Sequence, residues 1–357
     1  FVNPAGVAVT LNDDLDSAAL AARVDKINKL KFFRVGTDIE IDCVAVVNKS
    51  GSADKFVAAA KAAAGTRFGL ILSSKSADNL KAALAVCATK KPLIHAADAS
   101  NFAAMAALAK ESKCPLAVAA PTLDALAELT EKVQAAGVVD LVLDLSAPKT
   151  ADVLQNLTKA RRAALKKNFR PLGFPAMVCV QAADPWEETA QAATYLAKYA
   201  SLIVVNGIEP WQIMPLLTVR MNIYTDPQKP VQVEPKLYTV GEVTPNSPVM
   251  FTTNFSLTYY SVESDVEASR IPSYVIAVDT EGTSVLTAYS GDKLNETAVA
   301  KAMADTKIAE KVKHRKLIIP GYVAVMSGKL EEATGWEILV GPKESSMIPT
   351  YLKTTWR

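Results

Sequence analysis

An α/β chain in two parts is predicted: a (β/α)8 TIM barrel over residues 1–235, then a small Rossmann-like α/β domain over residues 236–357. Three observations predict it. Short apolar, β-branched runs alternate with alanine-rich amphipathic stretches between residues 42 and 224. A polar segment rich in proline then breaks the alternation. Beyond it the rhythm resumes, with glycines where strands should hand over to turns. Apolar strands joined by helical crossovers mean a parallel sheet covered on its outer face, and eight repeats are what a barrel requires. An open doubly wound sheet is the alternative arrangement of the same pattern. With 357 residues, the chain is also long for one domain.

Taken in order, residues 1–41 read as an irregular or β-rich cap, with a hairpin closing the barrel floor. The strand runs are 43–48, 68–73, 93–98, 116–121, 141–146, 176–181, 202–206 and a weaker 222–225. Amphipathic helices are expected at 54–64, 101–110 and 122–135, among others. Ser52, Ser76 with Asp78, Asp98 with Ser100, and Thr122 supply helix-start signals. Residues 224–248 read as a stiff extended linker, because proline removes donors and fixes φ. In the second part, residues 248–260 read as an extended, hydroxyl- and aromatic-rich run, followed by a short helix at 263–269. Residues 274–279 and 284–289 read as strands flanking a turn at Glu281 and Gly282. Asn295 caps a helix expected to reach residue 313. The closing stretch, 317–349, reads as strand, short helix, strand and loop, punctuated by Gly321, Gly328, Gly335 and Gly341.

Half of the residues are hydrophobic and 21% are charged, an ordinary composition for a water-soluble globular protein. A net charge of +2 argues against nucleic acid or an anionic membrane surface as the main partner. Pro320 and Gly321 interrupt an apolar run already too short to span a bilayer. No basic n-region precedes an apolar core at the N-terminus, so a cytoplasmic protein without a signal peptide is expected. Cys43, Cys87, Cys114 and Cys179 form no Cys-x-x-Cys pair and read as small buried hydrophobes in a reducing compartment.

Barrel chemistry belongs at the C-terminal strand ends. Those ends carry Asn48, Ser73, Asp98, Pro121, Asp144, Gln181, Asn206 and Asp226. Ordinary turn and capping roles account for such residues, although several could also hydrogen-bond a polar ligand. Asp98 and Asp144 are the carboxylates available for acid–base work. No strand run carries an inward lysine for Schiff-base chemistry. His95 falls within a strand, where a satisfied structural role is the commoner outcome. His314 lies in a basic run at a helix end, where positive charge suits the dipole.

Three stretches carry a family likeness: LIIPGYVAVMSG at 317–328, GWEILVGP at 335–342 and EGTSVLTA at 281–288. They resemble the corrinoid-binding domain of the large (gamma) subunits of corrinoid iron–sulfur proteins, methyl carriers of the reductive acetyl-CoA pathway of carbon fixation. The likeness extends along the whole chain and is most specific from Tyr238 onward. It implies a cobamide cofactor cradled by three segments. Thr253, Asn254 and Tyr259 form the first. Thr283, Ser284, Val285, Leu286 and Thr287 form the second, with Thr287 near the lower cobalt face. Gly321, Tyr322 and Ala324, with Gly341 and Pro342, form the third.

Many cobalamin domains place a histidine in an Asp-x-His-x-x-Gly motif. The nearest stretch here is Asp279-Thr280-Glu281-Gly282, without one. The resemblance therefore implies base-off binding with no protein ligand to cobalt. A weak lower ligand favours the low-valent, nucleophilic metal. The family also carries a [4Fe–4S] cluster on a separate N-terminal cysteine module, which this chain is expected to lack.

The implied function is that of a methyl carrier rather than a stand-alone catalyst, so no catalytic residue is assigned. It would accept a methyl group from methyltetrahydrofolate through a methyltransferase and deliver it to acetyl-CoA synthase. The implied partners are a small subunit forming a heterodimer, those two enzymes and a reductive activator. The family's barrel also resembles those of pterin-dependent methyltransferases. The alternative is accordingly a barrel enzyme acting on a pterin, with the second domain accessory. A scaffold subunit with no ligand in either domain is the third reading.

Overall fold

The structure, a computed structural model, describes residues 3–356 except 227 and 229, which fall in the expected linker. The chain divides into two compact units. One comprises Phe1–Phe32 and Asp38–Tyr224, the other Phe33–Thr37 and Thr225–Arg357.

The first unit opens with β1 (Gly6–Asn12) and α1 (Ser17–Asn28), and the hairpin strands β2 (Lys31–Arg34) and β3 (Thr37–Glu40) that follow are shared, Phe33–Thr37 belonging to the second unit. Strands then alternate with helices: β4 (Cys43–Val47), α2 (Ala53–Ala64), β5 (Gly69–Ser73), α3 (Ala77–Cys87), β6 (Leu93–Ala97) and α4 (Phe102–Ser112). β7 (Leu116–Ala119), α5 (Leu123–Ala135), β8 (Leu141–Asp144), α6 (Thr150–Lys166), β9 (Ala176–Cys179), α7 (Pro185–Leu196), β10 (Leu202–Val205) and α8 (Pro210–Tyr224) complete the series. Eight parallel strands close in the order β1-β10-β9-β8-β7-β6-β5-β4. β1 joins the two ends, pairing Val7 with Ile203 on one side and Val9 with Val44 on the other.

This closure corrects two expectations. Gly6–Asn12 is a barrel strand rather than part of a cap, although a hairpin does follow at residues 31–40. Residues 222–225 are not the eighth strand, because all but Thr225 belong to α8. GVAVTLN is a continuous apolar, β-branched run that fits a strand buried on both faces. The short apolar stretch at 221–224 fits either structure, and helix α8 claims it.

The N-caps follow the sequence. Side-chain oxygens of Ser52, Ser76, Thr122 and Asp184 accept backbone N–H groups at the starts of α2, α3, α5 and α7. Each such cap contributes about 1 kcal/mol. Asp98 works differently, accepting the N–H groups of Ser100 and Asn101 in the turn before α4. Alternation along the strands separates two cores. Val7, Val44, Leu70, Leu72 and Ile94 pack outward against the helices. Ala8, Ala45, Ile71, Leu93, Ala117, Met177 and Val204 fill the barrel interior.

The second unit contains β11 (Leu237–Val240), β12 (Val249–Thr253), α9 (Ser256–Ser269), β13 (Ser273–Val278), α10 (Val285–Ser290), α11 (Glu296–Asp305) and α12 (Ile308–Lys311). β14 (Lys316–Ile319), a 3-10 stretch over Gly321–Met326, α13 (Ser327–Thr334), β15 (Glu337–Val340) and α14 (Ile348–Thr355) follow. The sheet order is β11-β13-β12-β14-β15, with β11 antiparallel and the other strands parallel. Every residue of β12 and β13 is buried, as expected of central strands covered on both faces. Met250, Val275 and Ile318 pack with residues of α9 and α14 on one face. Phe251, Ile276 and Ile319 pack with residues of α11 and α13 on the other.

Three further expectations change here. The extended run from residue 248 ends at Thr253, and α9 begins at Ser256 rather than near residue 263. Residues 285–290 are helical, not a strand, with Ser284 as N-cap position. The edges of the sheet are taken by β11 and β15, which leaves that stretch no strand to pair with. The helix capped by Asn295 ends at Asp305, and Lys307 then takes a left-handed φ before α12. The turn at Glu281 and Gly282 is present, with φ of 54° and 70°.

Candidate functional site

The order of the second sheet creates a crevice. From β12 the chain moves outward to β13, then returns across to β14 on the opposite side of β12. The crossovers therefore diverge between β12 and β14, and in open α/β sheets ligands bind at such a switch point, beyond the strand C-termini. A cavity of about 330 Å³ lies there. β12 contributes Thr252, α9 contributes Leu257 and Ser261, and the start of α10 contributes Ser284, Val285 and Leu286. Pro320 and Tyr322 follow β14, Gly341, Pro342 and Lys343 follow β15, and Tyr351 comes from α14.

The lining is mainly apolar, and Leu257, Leu286 and Tyr322 leave 50%, 48% and 40% of their surfaces exposed at its rim. Large apolar side chains gathered at one opening mark a surface suited to covering. Thr252 adds a polar point: its buried hydroxyl has no hydrogen-bond partner among the described residues. Tyr322 donates its hydroxyl to Glu344 at 2.7 Å, and that carboxylate pushes the phenol's pKa up.

Of the residues expected to contact a cofactor, six line this crevice: Ser284, Val285, Leu286, Tyr322, Gly341 and Pro342. Thr287 is exposed and hydrogen-bonded to Ser284, while Thr283 donates to the carbonyl of Thr280. Ala324 is half-buried in the 3-10 stretch. Thr253 is fully buried with an unpartnered hydroxyl, and alternation gives it the face of Phe251 rather than that of Thr252.

Asn254 is buried and already occupied. Its carbonyl oxygen accepts from the N–H groups of Thr280 and Gly282 and from the Thr280 hydroxyl, at 2.9–3.1 Å. Its amide donates to Gln232 and Asp279, both at 3.1 Å. Tyr259, on α9, is a core residue that donates its hydroxyl to Glu263 at 2.9 Å and packs against Tyr238 and Tyr260. Gly321 and Gly341 serve each other. A Cβ on Gly321 would lie 2.6 Å from the Gly341 carbonyl, and one on Gly341 would lie 2.8 Å from that of Ile319. Sequence reasoning missed Thr252, Leu257 and Tyr351. A helix start at Ser256 would have aligned Leu257 and Ser261 at i and i+4, but nothing in the sequence singles out Thr252.

The barrel has a second constellation. The positions two beyond the interior residues Ile71, Leu93, Val142 and Met177 are Ser73, His95, Asp144 and Cys179. Strand alternation makes them one polar layer at the C-terminal mouth. His95 Nε2 lies 2.9 Å from Asp144 Oδ2, and its Nδ1 lies 2.9 Å from the Ser73 hydroxyl. Cys179 Sγ is 4.0 Å from the same Nε2. Ser146 donates its hydroxyl to Asp144 Oδ1 and accepts the Cys179 N–H at 2.8 Å. Burial opposes a charge on His95, but hydrogen bonds and charge from Asp144 and Cys179 outweigh it and raise its pKa. Burial opposes the Asp144 charge too, and His95 and Ser146 outweigh it, lowering that pKa.

The other strand-end residues do local work. Asn48 donates to Asp13 at 2.7 Å and accepts from Ser74 and Asn79, while Asn206 accepts the Thr10 hydroxyl at 3.0 Å. Asp226 lies beyond α8 and accepts the Gln228 N–H, so it is no strand end. His314 bonds the Ser247 carbonyl at 2.9 Å and packs edge-on to Trp356. Among the described residues, no helix is long and apolar enough to cross a membrane.

Fold and crevice together define a two-unit α/β protein in which a barrel shares one chain with a doubly wound ligand-binding type of sheet. The chain belongs to the family of corrinoid/iron–sulfur protein large subunits and acetyl-CoA decarbonylase/synthase gamma subunits. Residues 1–352 match the family model described as CO dehydrogenase/acetyl-CoA synthase delta subunit. The corrinoid/iron-sulfur protein large subunit of Moorella thermoacetica is 46% identical over 99% of this chain and 79% of its own length. The acetyl-CoA decarbonylase/synthase complex subunit gamma of Methanothermobacter thermautotrophicus is 39% identical over 99% of this chain and 80% of its own length. Among solved structures, the dihydropteroate synthase of Thermus thermophilus aligns with 63% of this chain and 95% of its own, at 17% identity and a TM-score of 0.45.

Proposed function

We propose that the chain is a cobamide-dependent methyl carrier whose second unit binds the corrinoid at the switch-point crevice. The observation that carries this reading is the apolar rim of Leu257, Leu286 and Tyr322 around an opening with an unpartnered Thr252 hydroxyl. Its support is membership of a family whose relatives are named corrinoid proteins. At about 330 Å³ the cavity is at the small end of ligand sites and cannot enclose a corrin ring. The ring would instead rest across the rim, and its other face would be left for a partner. Leu286 and Tyr322 would support it and Pro342 would limit its reach, while the buried Thr252 hydroxyl would meet only a substituent that enters the cavity. When bound, the cobalt would supply the methyl-transfer chemistry.

The family resemblance extends the proposal. The methyl group would come from methyltetrahydrofolate through a methyltransferase and pass to acetyl-CoA synthase, with a small subunit completing the heterodimer and a reductive activator restoring the metal. The chain's own part is to orient the ring and exclude water from one side. No histidine is among the residues described as lining the crevice, and His314, in the second unit, is bonded to the Ser247 carbonyl. Base-off binding without a protein ligand follows from the family resemblance, since residues 279–282 carry no histidine. An iron–sulfur cluster does not fit the cysteines present. Among the described residues none shares a candidate metal-ligand group with another cysteine, so no step is assigned to a cluster.

Reconstitution with a small-subunit partner and hydroxocobalamin tests the reading. A base-off visible spectrum with one equivalent bound is expected. Leu286→Asp should weaken binding at least tenfold, at a cost of about 1.4 kcal/mol or more. Binding unaffected by Leu286→Asp and Tyr322→Ala would place the corrinoid elsewhere.

A further inference from the structure

We propose that the barrel mouth is a binding site for a divalent transition metal of the zinc type, held by His95 Nε2, Asp144 Oδ2 and Cys179 Sγ. These three residues come from β6, β8 and β9, and their donor atoms lie within 4.8 Å of one another. β7, the strand between β6 and β8, ends in Ala119 and is followed by Ala120, neither of which adds a competing polar group there.

The spacing is close to what an ion requires. Bond lengths of about 2.0–2.3 Å in a tetrahedral zinc site put neighbouring ligand atoms roughly 3.3–3.6 Å apart. Here nitrogen and carboxylate oxygen are 2.9 Å apart, and nitrogen and sulfur 4.0 Å. Opening the first and closing the second by about half an ångström each is within the reach of side-chain torsions.

The surrounding bonds favour the same reading. Metal-bound imidazoles and carboxylates are held by hydrogen bonds through the atoms that do not ligate. Ser73 meets His95 at Nδ1, leaving Nε2 for an ion. Ser146 meets Asp144 at Oδ1, leaving Oδ2, and the same hydroxyl takes the Cys179 N–H. A structural ion pair needs no thiol beside it, whereas here the sulfur lies 4.0 Å from the paired ring nitrogen and within 4.8 Å of the carboxylate oxygen.

Nitrogen, oxygen and thiolate sulfur together suit zinc over magnesium or calcium, which prefer oxygen alone. Three protein ligands leave a fourth position open toward the mouth, the pattern of sites that bind a further molecule rather than brace a fold.

The test uses the purified chain free of corrinoid, so that cobalt added as a probe is the sole cobalt present. Equilibrium dialysis should give one equivalent of Zn²⁺. Co²⁺ should produce a thiolate-to-metal charge-transfer band that Zn²⁺ abolishes. Cys179→Ala should remove the band and His95→Ala should lower Zn²⁺ affinity at least 100-fold. Ser146→Ala should lower it about 10- to 100-fold without removing the band. Cys87→Ala, on a different element, should change neither reading. The proposal is overturned by less than half an equivalent of bound metal, or by a band that survives in a folded Cys179→Ala variant.

Discussion

Asn254 illustrates how a single side chain is committed by its surroundings. It spends all of its hydrogen-bonding capacity on the turn at residues 279–282 and on Gln232. Asn254→Ala should therefore destabilise the second unit by about 2–4 kcal/mol, because several buried donors lose one acceptor together. Urea unfolding would measure it, and a loss of corrinoid binding at unchanged stability would assign the residue to the ligand instead. Cys87 makes a different point. Burial, helped by the nearby Cys114 sulfur, raises its pKa to about 11. The unfolded thiol ionises first, so this group removes stability as pH rises above the ordinary thiol value, and removes none below it. Folded protein at pH 8 should resist alkylation at Cys87, with mass spectrometry finding the label there only after denaturation. Asn254 and Tyr259 also show why the site was only partly legible. The residue types suited a polar cradle, but the start of α9 at Ser256 decides which way they face, and no strong cap marks that start.

At the level of elements, the parallel pair β14 and β15 depends on two glycines whose turns touch. Gly341 donates its N–H to the Ile319 carbonyl at 2.8 Å, and Gly321 donates to that of Pro342 at 3.0 Å. A methyl group at either position would meet backbone, so Gly321→Ala or Gly341→Ala should cost about 1–3 kcal/mol. Differential scanning calorimetry of each variant checks this, and an unchanged melting point would show that the turns can separate freely. The glycines were legible as sites of close approach, but not what approaches. The β2–β3 turn presents the opposite case. Val35 and Gly36 both take positive φ, at 48° and 77°, as a type I′ hairpin requires. Glycine accepts this, whereas a β-branched residue is strained. Val35→Asn should therefore stabilise the protein by about 0.5–1 kcal/mol, read as a higher melting temperature. The alternation of strands and helices was legible because two periodicities differ so plainly. The identity of the closing strand was not, since closure depends on β1 meeting both β4 and β10 across nearly 200 residues of chain.

For the whole molecule, the division into units follows space more closely than sequence. The chain passes from one unit to the other at residues 32–33, 37–38 and 224–225. Within the second unit, Phe33 packs edge-on against Tyr260 with ring centroids 5.6 Å apart, and a Cβ on Gly36 would fall 2.7 Å from the same ring. An expressed fragment of residues 225–357 lacks these contacts. It should melt below the corresponding unit of the intact chain, by an amount equivalent to about 0.5–1.5 kcal/mol for the aromatic pair. Hydrogen exchange around α9 in fragment and full chain compares them directly, and equal protection would mean that the pair contributes nothing. The three crossings also bear on inheritance. Genetic exchange at a single point near residue 224 would transplant the second unit without its Phe33–Thr37 piece, and would leave that piece stranded on a foreign barrel. A lineage that mixed its modules freely would be penalised for it, so the two units are expected to descend together as one hereditary block.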